Sequence, residues 1–230
     1  MGADKGNPHE TRTPERLRYH YEVEKALAAR LRSANRQERK RLYNDLYAEL
    51  LAKVPDHPSL TRTANPEATK REIRQKTAMV RRFLRPRATF VEFAAGDAGF
   101  AMGLCRSAGQ VLAVEVVDRL DPAVRPPPNF RLVIYDGVDL DIPDGTADVV
   151  FSDQLIEHLH PEDVESHFAL VRRMLKGGGA YVFRTPHAFS GPHDISRYFS
   201  DRPEGFHLKE WTFRQIAGEL RKAGFRRPRA

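Results

Sequence analysis

The chain has 230 residues, 40% of them hydrophobic and 30% charged, with a formal net charge of +7. This length suits one α/β domain with an added element better than two full domains. No apolar run approaches the roughly 20 residues of a membrane helix, and the polar start lacks a signal-peptide core, so we expect a cytoplasmic protein without a membrane association. The single cysteine, Cys105, excludes an internal disulfide and argues against a structural zinc site.

The basic excess lies mainly in the N-terminal third and in the last arginines of the chain. A basic chain can bind nucleic acid or anionic surfaces. However, no stretch resembles an RNA-binding module, and basic and aromatic residues do not alternate along any predicted strand. We therefore favour a solvated helical surface and keep nucleic acid as the alternative partner.

The N-terminal part is predicted to be helical, and the part that follows alternates strands with helices. Residues 1–14 are predicted to be a disordered tail, and residues 15–86 a helical region with helices over 15–32, over 36–53 and from Asn65-Pro66-Glu67 to just before Pro86. Strands are predicted at 89–94, 110–117, 130–135, 147–152 and 180–184. Helices are predicted at 100–107, 162–175 and 211–223, the second closed by a glycine turn at 176–179. This order predicts an α/β doubly wound, mostly parallel sheet over residues 87–230, with a ligand site beyond the carboxyl ends of its strands.

A small-residue loop after the first strand marks that ligand site. The segment 91–100 carries Glu92 on the strand, and Ala94 and Gly96 in the loop before a helix. Small residues let the backbone approach a ligand closely, and a helix start offers free N–H groups. Glu115 follows 19 positions after Gly96, at the end of the next strand, where an acid can hold a ribose hydroxyl pair. Together these residues indicate a nucleoside-containing cofactor.

The sequence resembles a known family in four segments that occur in the family's order. These segments are 91–100, 142–152, 155–159 and 175–179. They are similar to motifs of class I S-adenosylmethionine-dependent methyltransferases, including small-molecule O-methyltransferases. The resemblance implies a Rossmann-like catalytic domain, S-adenosyl-L-methionine as cofactor and S-adenosyl-L-homocysteine as product. Members usually complete the sheet with further strands after the last long helix, and the short stretch 225–230 leads us to expect those strands to be absent.

The resemblance also implies roles for individual residues. The implied cofactor contacts are Glu92 as loop organiser, Ala94 and Gly96 at the methionine and ribose, Glu115 at the ribose hydroxyls, Val116 at the adenine face, Asp136 and Gly137 at the adenine amino group, and Asp153 near the sulfonium and the acceptor. Ala94 replaces the family's first glycine, so we expect its backbone to avoid a positive φ. Asp148 and His158 are expected to be structural.

The loop after the fifth strand supplies the candidates for a general base. His187 is the first choice because it is nearest to the strand end, and His193 is the second, with Asp194 as a potential orienting partner. His207 is interpreted as a loop-fixing residue. A metal site from His187, His193 and Asp194 is disfavoured because the spacing matches no known metal signature, so no metal is predicted.

These features favour methyl transfer to a small-molecule acceptor, most simply to oxygen with a histidine as base. We expect the N-terminal helices to cap the active site; the alternatives are that they only cover the sheet or form a homodimer contact. RNA or protein methylation is the second enzymatic interpretation, and a non-catalytic cofactor-binding partner subunit is the third. A nicotinamide-linked oxidoreductase fits the segments 142–159 and 175–179 least well.

Overall fold

A computed structural model describes residues 10–61, 66–135 and 140–230. Its strands are β1 (Thr89–Phe93), β2 (Gln110–Glu115), β3 (Phe130–Ile134), β4 (Ala147–Asp153) and β5 (Leu175–Arg184). They form one parallel sheet in the order β3-β2-β1-β4-β5. The order reverses between β1 and β4, which opens a crevice at the carboxyl ends of these two strands. The predicted α/β doubly wound sheet is therefore confirmed.

The helix that starts at Pro66 ends at Val80, earlier than predicted, and the short helix Pro58–Thr61 was not predicted; the other helices begin and end within about three residues of the predicted positions. The helices are α1 (Pro14–Ser33), α2 (Arg36–Lys53), α3 (Pro58–Thr61), α4 (Pro66–Val80), α5 (Gly99–Leu104), α6 (Val164–Met174) and α7 (Phe213–Lys222). Asn35 caps α2 in a capping box with Glu38, and Thr212 caps α7 in another with Gln215. None of the helices in the described part of the chain is long and apolar enough to cross a membrane.

Both faces of the central strands β1 and β4 are buried, as in a doubly wound sheet. On one face, Phe90 and Phe151 pack with Phe100 of α5. On the other face, Phe93 lies in a second apolar cluster with Met174 of α6. Alternate residues of β1 thus serve opposite layers, which holds the end of this strand, and the loop after it, rigidly in the crevice.

The glycine segment after α6 is part of a strand, contrary to the predicted turn. β5 begins at Leu175, directly after α6, and Ala147 pairs with Leu175 whereas Val149 pairs with Ala180. The extra residues form a bulge, in which Gly178 adopts a φ of +82°. The prediction placed a turn here because three glycines in a row resemble a helix stop, whereas the pairing with β4 extends the strand through them.

The N-terminal helices pack on each other and on the chain after β5. Leu27 and Leu31 of α1 and Leu46 and Leu50 of α2 form a buried cluster that includes Phe206. This packing brings polar side chains of α1 over the carboxyl edge of the sheet. Within the described residues β5 is the last strand, and the ring of Phe225 lies against Tyr181 of β5.

Candidate active site

A cavity of about 780 Å³ lies at the carboxyl ends of the strands. The loop after β1 and the ends of β2, β3 and β4 form one wall, and the N-terminal helices together with the loop after β5 form the other. A volume of this size is typical of small-molecule and cofactor sites. The cavity thus lies at the edge of the sheet where the sequence predicts a ligand.

The loop after β1 turns sharply through left-handed backbone conformations. Ala94, Gly96 and Ala98 have φ values of +53°, +61° and +55°. The expectation that Ala94 avoids a positive φ is therefore wrong: the strand must turn into α5 within a few residues, and alanine accepts this conformation at a cost of about 1 to 2 kcal/mol. A Cβ built on Gly96 meets nothing within 4 Å, so this part of the loop faces open space in the cavity wall.

Glu115 is fixed at the end of β2, facing the same loop. Its Oε2 accepts a hydrogen bond from the backbone N–H of Gly96 and its Oε1 one from that of Val116, each at 2.8 Å. Burial raises the pKa of Glu115, although these two bonds oppose the shift. Each carboxylate oxygen keeps one further acceptor position, and both Glu115 and Val116 line the cavity.

Glu92 and Asp153 share a lysine that the sequence analysis did not single out. Lys76 of α4 places its Nζ 3.9 Å from Glu92 Oε1 and 3.4 Å from Asp153 Oδ2. Glu92 is 1% exposed, and its burial, only partly offset by Lys76, raises its pKa to about 8. Asp153 also receives two hydrogen bonds of 2.7 Å from Arg184.

The predicted cofactor contacts fall into three groups. Ala94, Gly96, Glu115, Val116 and Asp153 line the cavity. Glu92 is buried in the sheet and does not line the cavity. Asp136 and Gly137 lie outside the described residues.

The two candidate bases occupy different environments. His187 is exposed and does not line the cavity; its ring nitrogens lie 3.1 Å from the backbone N of Phe189 and 3.3 Å from that of Phe213. His193 lines the cavity, and its Nε2 lies 3.2 Å from Ser190 Oγ. His187 as a base stays a prediction, but its position gives it less support than His193 has.

The partner of His193 is Glu210, which the sequence analysis left without a role. Oε2 of Glu210 lies 2.9 Å from His193 Nδ1. Asp194, the expected partner, instead accepts hydrogen bonds from the backbone N–H groups of Ser196 and Gly205. The expected pairing is wrong because the side chain of Asp194 turns towards its own loop.

Glu210 also orients a second histidine of the cavity wall. Its Oε1 lies 2.8 Å from His207 Nδ1. Burial opposes ionisation of Glu210, but the hydrogen bonds from His207 and His193 lower its pKa to about 2. The spacing of three residues between His207 and Glu210 could have indicated this pair. The bond between Glu210 and His193 could not be predicted in this way, because His193 lies on a different segment.

A short 3₁₀ turn after β4, Ile156–His158, brings two more polar residues to this region. His158 lines the cavity, and its Nδ1 lies 3.0 Å from the carbonyl oxygen of Phe206. Burial lowers the pKa of His158 to about 3, so the ring is neutral. Glu157 is fully buried; one carboxylate oxygen accepts a hydrogen bond of 2.8 Å from Thr185, and the other has no partner among the described residues.

The N-terminal helices add a third polar group to the cavity wall. His20 Nε2 lies 2.7 Å from Glu24 Oε1, and His57 Nε2 lies 3.4 Å from the same oxygen. Arg12 NH1 lies 2.8 Å from His20 Nδ1. Burial opposes ionisation of Glu24, but its bonds to His20 and His57 hold its pKa well below the usual range.

Comparison with known protein families decides the class of this site. Residues 91–183, which include the loop after β1, Glu115 and Asp153, match the family described as the methyltransferase domain. The protein carries a class I S-adenosylmethionine-dependent methyltransferase domain. The predicted class of enzyme and its cofactor are thereby confirmed. Comparison with curated proteins gave no significant match.

Solved structures share the fold of this methyltransferase. A chain of the complex between the Haloferax volcanii Trm112 methyltransferase activator and the putative methyltransferase is 14% identical, with a TM-score of 0.54 over 73% of this chain and 76% of that one. A putative methyltransferase from Bacillus halodurans is 17% identical, with a TM-score of 0.51 over 67% and 68%. Phosphoethanolamine N-methyltransferase 2 from Haemonchus contortus, in complex with S-adenosyl-L-methionine, is 20% identical, with a TM-score of 0.52 over 66% and 36%. At these identities the likeness concerns the fold alone.

Proposed function

We propose that this methyltransferase transfers a methyl group to an oxygen atom of a small polar acceptor, with a histidine as general base. The observation that carries the proposal is the composition of the two cavity walls. The glycine-containing loop and Glu115 lie on the sheet side, and His193, which is bonded to Glu210, lies on the facing side. Donor and acceptor would thus meet in one cavity.

On the donor side, the chain's own residues fit an adenosyl cofactor. Glu115 would accept hydrogen bonds from the ribose hydroxyls through the acceptor positions that Gly96 and Val116 leave open, and Val116 would contact the adenine. Ala94 and Gly96 would line the methionine and ribose portion, and Asp136 and Gly137 remain proposed adenine contacts. Asp153, held by Arg184 and Lys76, would place negative charge near the sulfonium. The bound cofactor supplies an activated methyl group, so the protein contributes mainly orientation and exclusion of water.

On the acceptor side, His193 is the preferred base. The carboxylate of Glu210 can only accept, so His193 Nδ1 carries the proton of that bond and Nε2 is left to accept one. The acceptor oxygen would bond to the methyl carbon as the carbon–sulfur bond breaks, and its proton would pass to His193 Nε2. His187 remains the second candidate.

The N-terminal helices, within the proposed cap of residues 15–86, would close the acceptor pocket. They contribute polar side chains to the cavity wall, including His20, Glu24 and Tyr43. A polar lining of this kind suits a small acceptor with several hydrogen-bonding groups. The phosphoethanolamine enzyme of similar fold gives one example of a methyltransferase with a small polar acceptor in its name.

Calorimetric binding of S-adenosylhomocysteine, with NAD as the control ligand, tests the donor side first. We expect binding of S-adenosylhomocysteine alone. Transfer of a labelled methyl group to a panel of hydroxylated small molecules and sugars then tests the acceptor side, with RNA and protein as competing acceptors. Transfer to RNA or protein alone contradicts the small-molecule assignment, and tight binding without any turnover favours a partner subunit.

Three substitutions test the choice of base. His193→Gln should lower turnover at least tenfold while leaving the affinity for S-adenosylhomocysteine within threefold of the original, because a positioned base contributes a factor of about 10² to 10⁴. His160→Gln, a histidine that does not line the cavity, serves as the matched control. If His187→Ala lowers turnover and His193→Gln does not, the roles of these two histidines are reversed.

A further inference from the structure

We infer that Glu157, His158 and His207 form a binding site for a divalent metal ion in the wall of the cavity. The metal site itself is independent of the proposed reaction, whereas its role beside the acceptor rests on the proposed function. No metal is predicted from the sequence, because local spacing cannot show that these residues lie close together in space. The three residues come from two distant segments, the 3₁₀ turn after β4 and the loop before α7.

The side chains converge closely enough to share one ion. One potential ligand atom from each of the three residues lies within 4.8 Å of the other two. The rings of His158 and His207 are 4.9 Å apart between centroids and nearly perpendicular, at 80°. A modest contraction would bring the three atoms to the bond lengths of about 2.0 to 2.2 Å that zinc makes with imidazole and carboxylate ligands.

Hydrogen bonds determine which nitrogen of each imidazole is available to a metal. The Phe206 carbonyl oxygen can only accept, so His158 Nδ1 carries a proton, and the Glu210 carboxylate imposes the same form on His207. When such a ring is neutral, its lone pair is therefore on Nε2, which makes no hydrogen bond within the described residues. Metal-binding histidines characteristically donate their other N–H to a carbonyl or a carboxylate, which is the arrangement found here.

Glu157 supplies the third donor and an electrostatic reason for a cation. Its carboxylate is fully buried, and one of its oxygens has no hydrogen-bond partner among the described residues. A buried, incompletely paired carboxylate is costly unless a cation or a donor compensates it. Asp194 and Glu210 add negative charge around His207. A divalent ion would satisfy the free oxygen and offset this charge.

A second cluster, made of His20, Glu24 and His57, is a weaker candidate. Arg12 can only donate, so His20 Nδ1 must accept from it and His20 Nε2 must carry the proton. Nε2 then donates to Glu24 and has no lone pair for a metal. The guanidinium would also repel a cation, so we interpret this cluster as a hydrogen-bonded part of the pocket wall.

The donor set indicates the class of ion and what it would do. Two imidazoles and one carboxylate suit Zn²⁺, Mn²⁺, Fe²⁺ or Co²⁺ better than Mg²⁺ or Ca²⁺, which prefer oxygen ligands. Three protein ligands leave at least one coordination position for another molecule. Because His158 and His207 line the cavity, a hydroxyl group of the acceptor could bind there, and the ion would lower the pKa of that hydroxyl.

Metal binding to the full chain tests this inference without an activity assay. After treatment with a chelator, the protein is titrated calorimetrically with Zn²⁺, Mn²⁺ and Mg²⁺, and the visible spectrum of the Co²⁺ form is recorded. We expect one tight equivalent of Zn²⁺ or Mn²⁺ per chain, weaker Mg²⁺ binding, and Co²⁺ absorption bands typical of mixed nitrogen and oxygen ligands. If the original protein shows no tight equivalent and no such bands, the proposed metal site is refuted.

Substitutions then locate the ion. Glu157→Gln and His207→Gln should each weaken binding at least 100-fold, and Glu210→Gln should weaken it about 10- to 100-fold through the orientation of His207. His160→Gln and His57→Gln should leave affinity within threefold. Two ligand variants are used in case one does not fold, with circular dichroism as the check. Unchanged affinity in a folded ligand variant, or a loss confined to His57→Gln, refutes the assignment.

Binding of S-adenosylhomocysteine separates this inference from the proposed function. If the protein binds S-adenosylhomocysteine and methylates an acceptor after complete removal of metal, with no tight metal equivalent, the metal site is wrong and the proposed function stands. If the metal binds at these ligands but no oxygen acceptor is methylated, the site stands and the proposed function fails.

Discussion

His207 and His193 are connected by one carboxylate, because Glu210 Oε1 bonds His207 Nδ1 at 2.8 Å while Oε2 bonds His193 Nδ1 at 2.9 Å. One buried side chain therefore sets the orientation of the proposed base and of a proposed metal ligand. A change that moves Glu210 should alter both rings at once. This coupling leads to the first prediction.

Gly191→Ala should displace the carboxylate of Glu210, and the new Cβ would also lie 3.2 Å from His193 Nδ1. A Cβ at this position would overlap Oε2 of Glu210, so the carboxylate must shift. We expect turnover to fall at least tenfold, while affinity for S-adenosylhomocysteine stays within threefold, as measured by methyl transfer and calorimetry. Gly218→Ala in α7 is the matched control, because a Cβ there meets nothing within 4 Å. Full turnover in folded Gly191→Ala protein would show that the position of Glu210 is unimportant.

Glu115→Ala should abolish most of the affinity for S-adenosylhomocysteine. The substitution removes the proposed acceptor of two hydroxyl groups, and hydrogen bonds to charged groups contribute about 1.5 to 3 kcal/mol each, so we expect a loss of roughly 100-fold or more. Asp118→Asn, at an exposed position on the loop that follows, should have no effect. Calorimetry on both variants gives the comparison. An affinity unaffected by Glu115→Ala would remove the ribose assignment.

Glu92 should make the stability of the ligand-free protein depend on pH. Burial raises its pKa from 4.5 to about 8, so between these values the folded state holds a proton that the unfolded state has lost. The contribution of Glu92 to stability therefore falls as pH rises through this window. Glu92→Gln should remove this contribution, and its gain in the free energy of unfolding should be larger at pH 7.5 than at pH 5. Urea unfolding at both values measures it, and an equal effect at both would contradict the raised pKa.

Arg39→Ala should lower the free energy of unfolding more than the removal of an exposed arginine does, because Arg39 belongs to a buried ion pair. The Arg39 side chain is 2% exposed and bonds the two carboxylate oxygens of Asp163 at 2.7 and 2.8 Å, which connects α2 to the start of α6. Removal of one partner of such a pair typically costs about 3 to 5 kcal/mol. Arg36→Ala, at an exposed position of the same helix, should cost under about 1 kcal/mol. Denaturant unfolding measures both, and equal small losses would mean that Asp163 is satisfied without Arg39.

The sequence by itself determined the order of strands and helices, the loop after β1 and the position of Glu115. Each depends on a local pattern: apolar runs of strand length, capping residues such as Asn35 and Thr212, and the distance from Gly96 to Glu115 along two adjacent parallel strands. Such patterns report on structure because neighbours in the chain remain neighbours in space.

The tertiary structure alone decided what the polar residues around the cavity do. The left-handed φ of Ala94, the extension of β5 through its glycines, and the choice of Glu210 over Asp194 as the partner of His193 all depend on contacts between separate segments. The convergence of Glu157 and His158 with His207 has the same origin. A histidine's spacing in the sequence does not reveal which donor or acceptor faces each ring nitrogen, because that depends on how distant segments pack together.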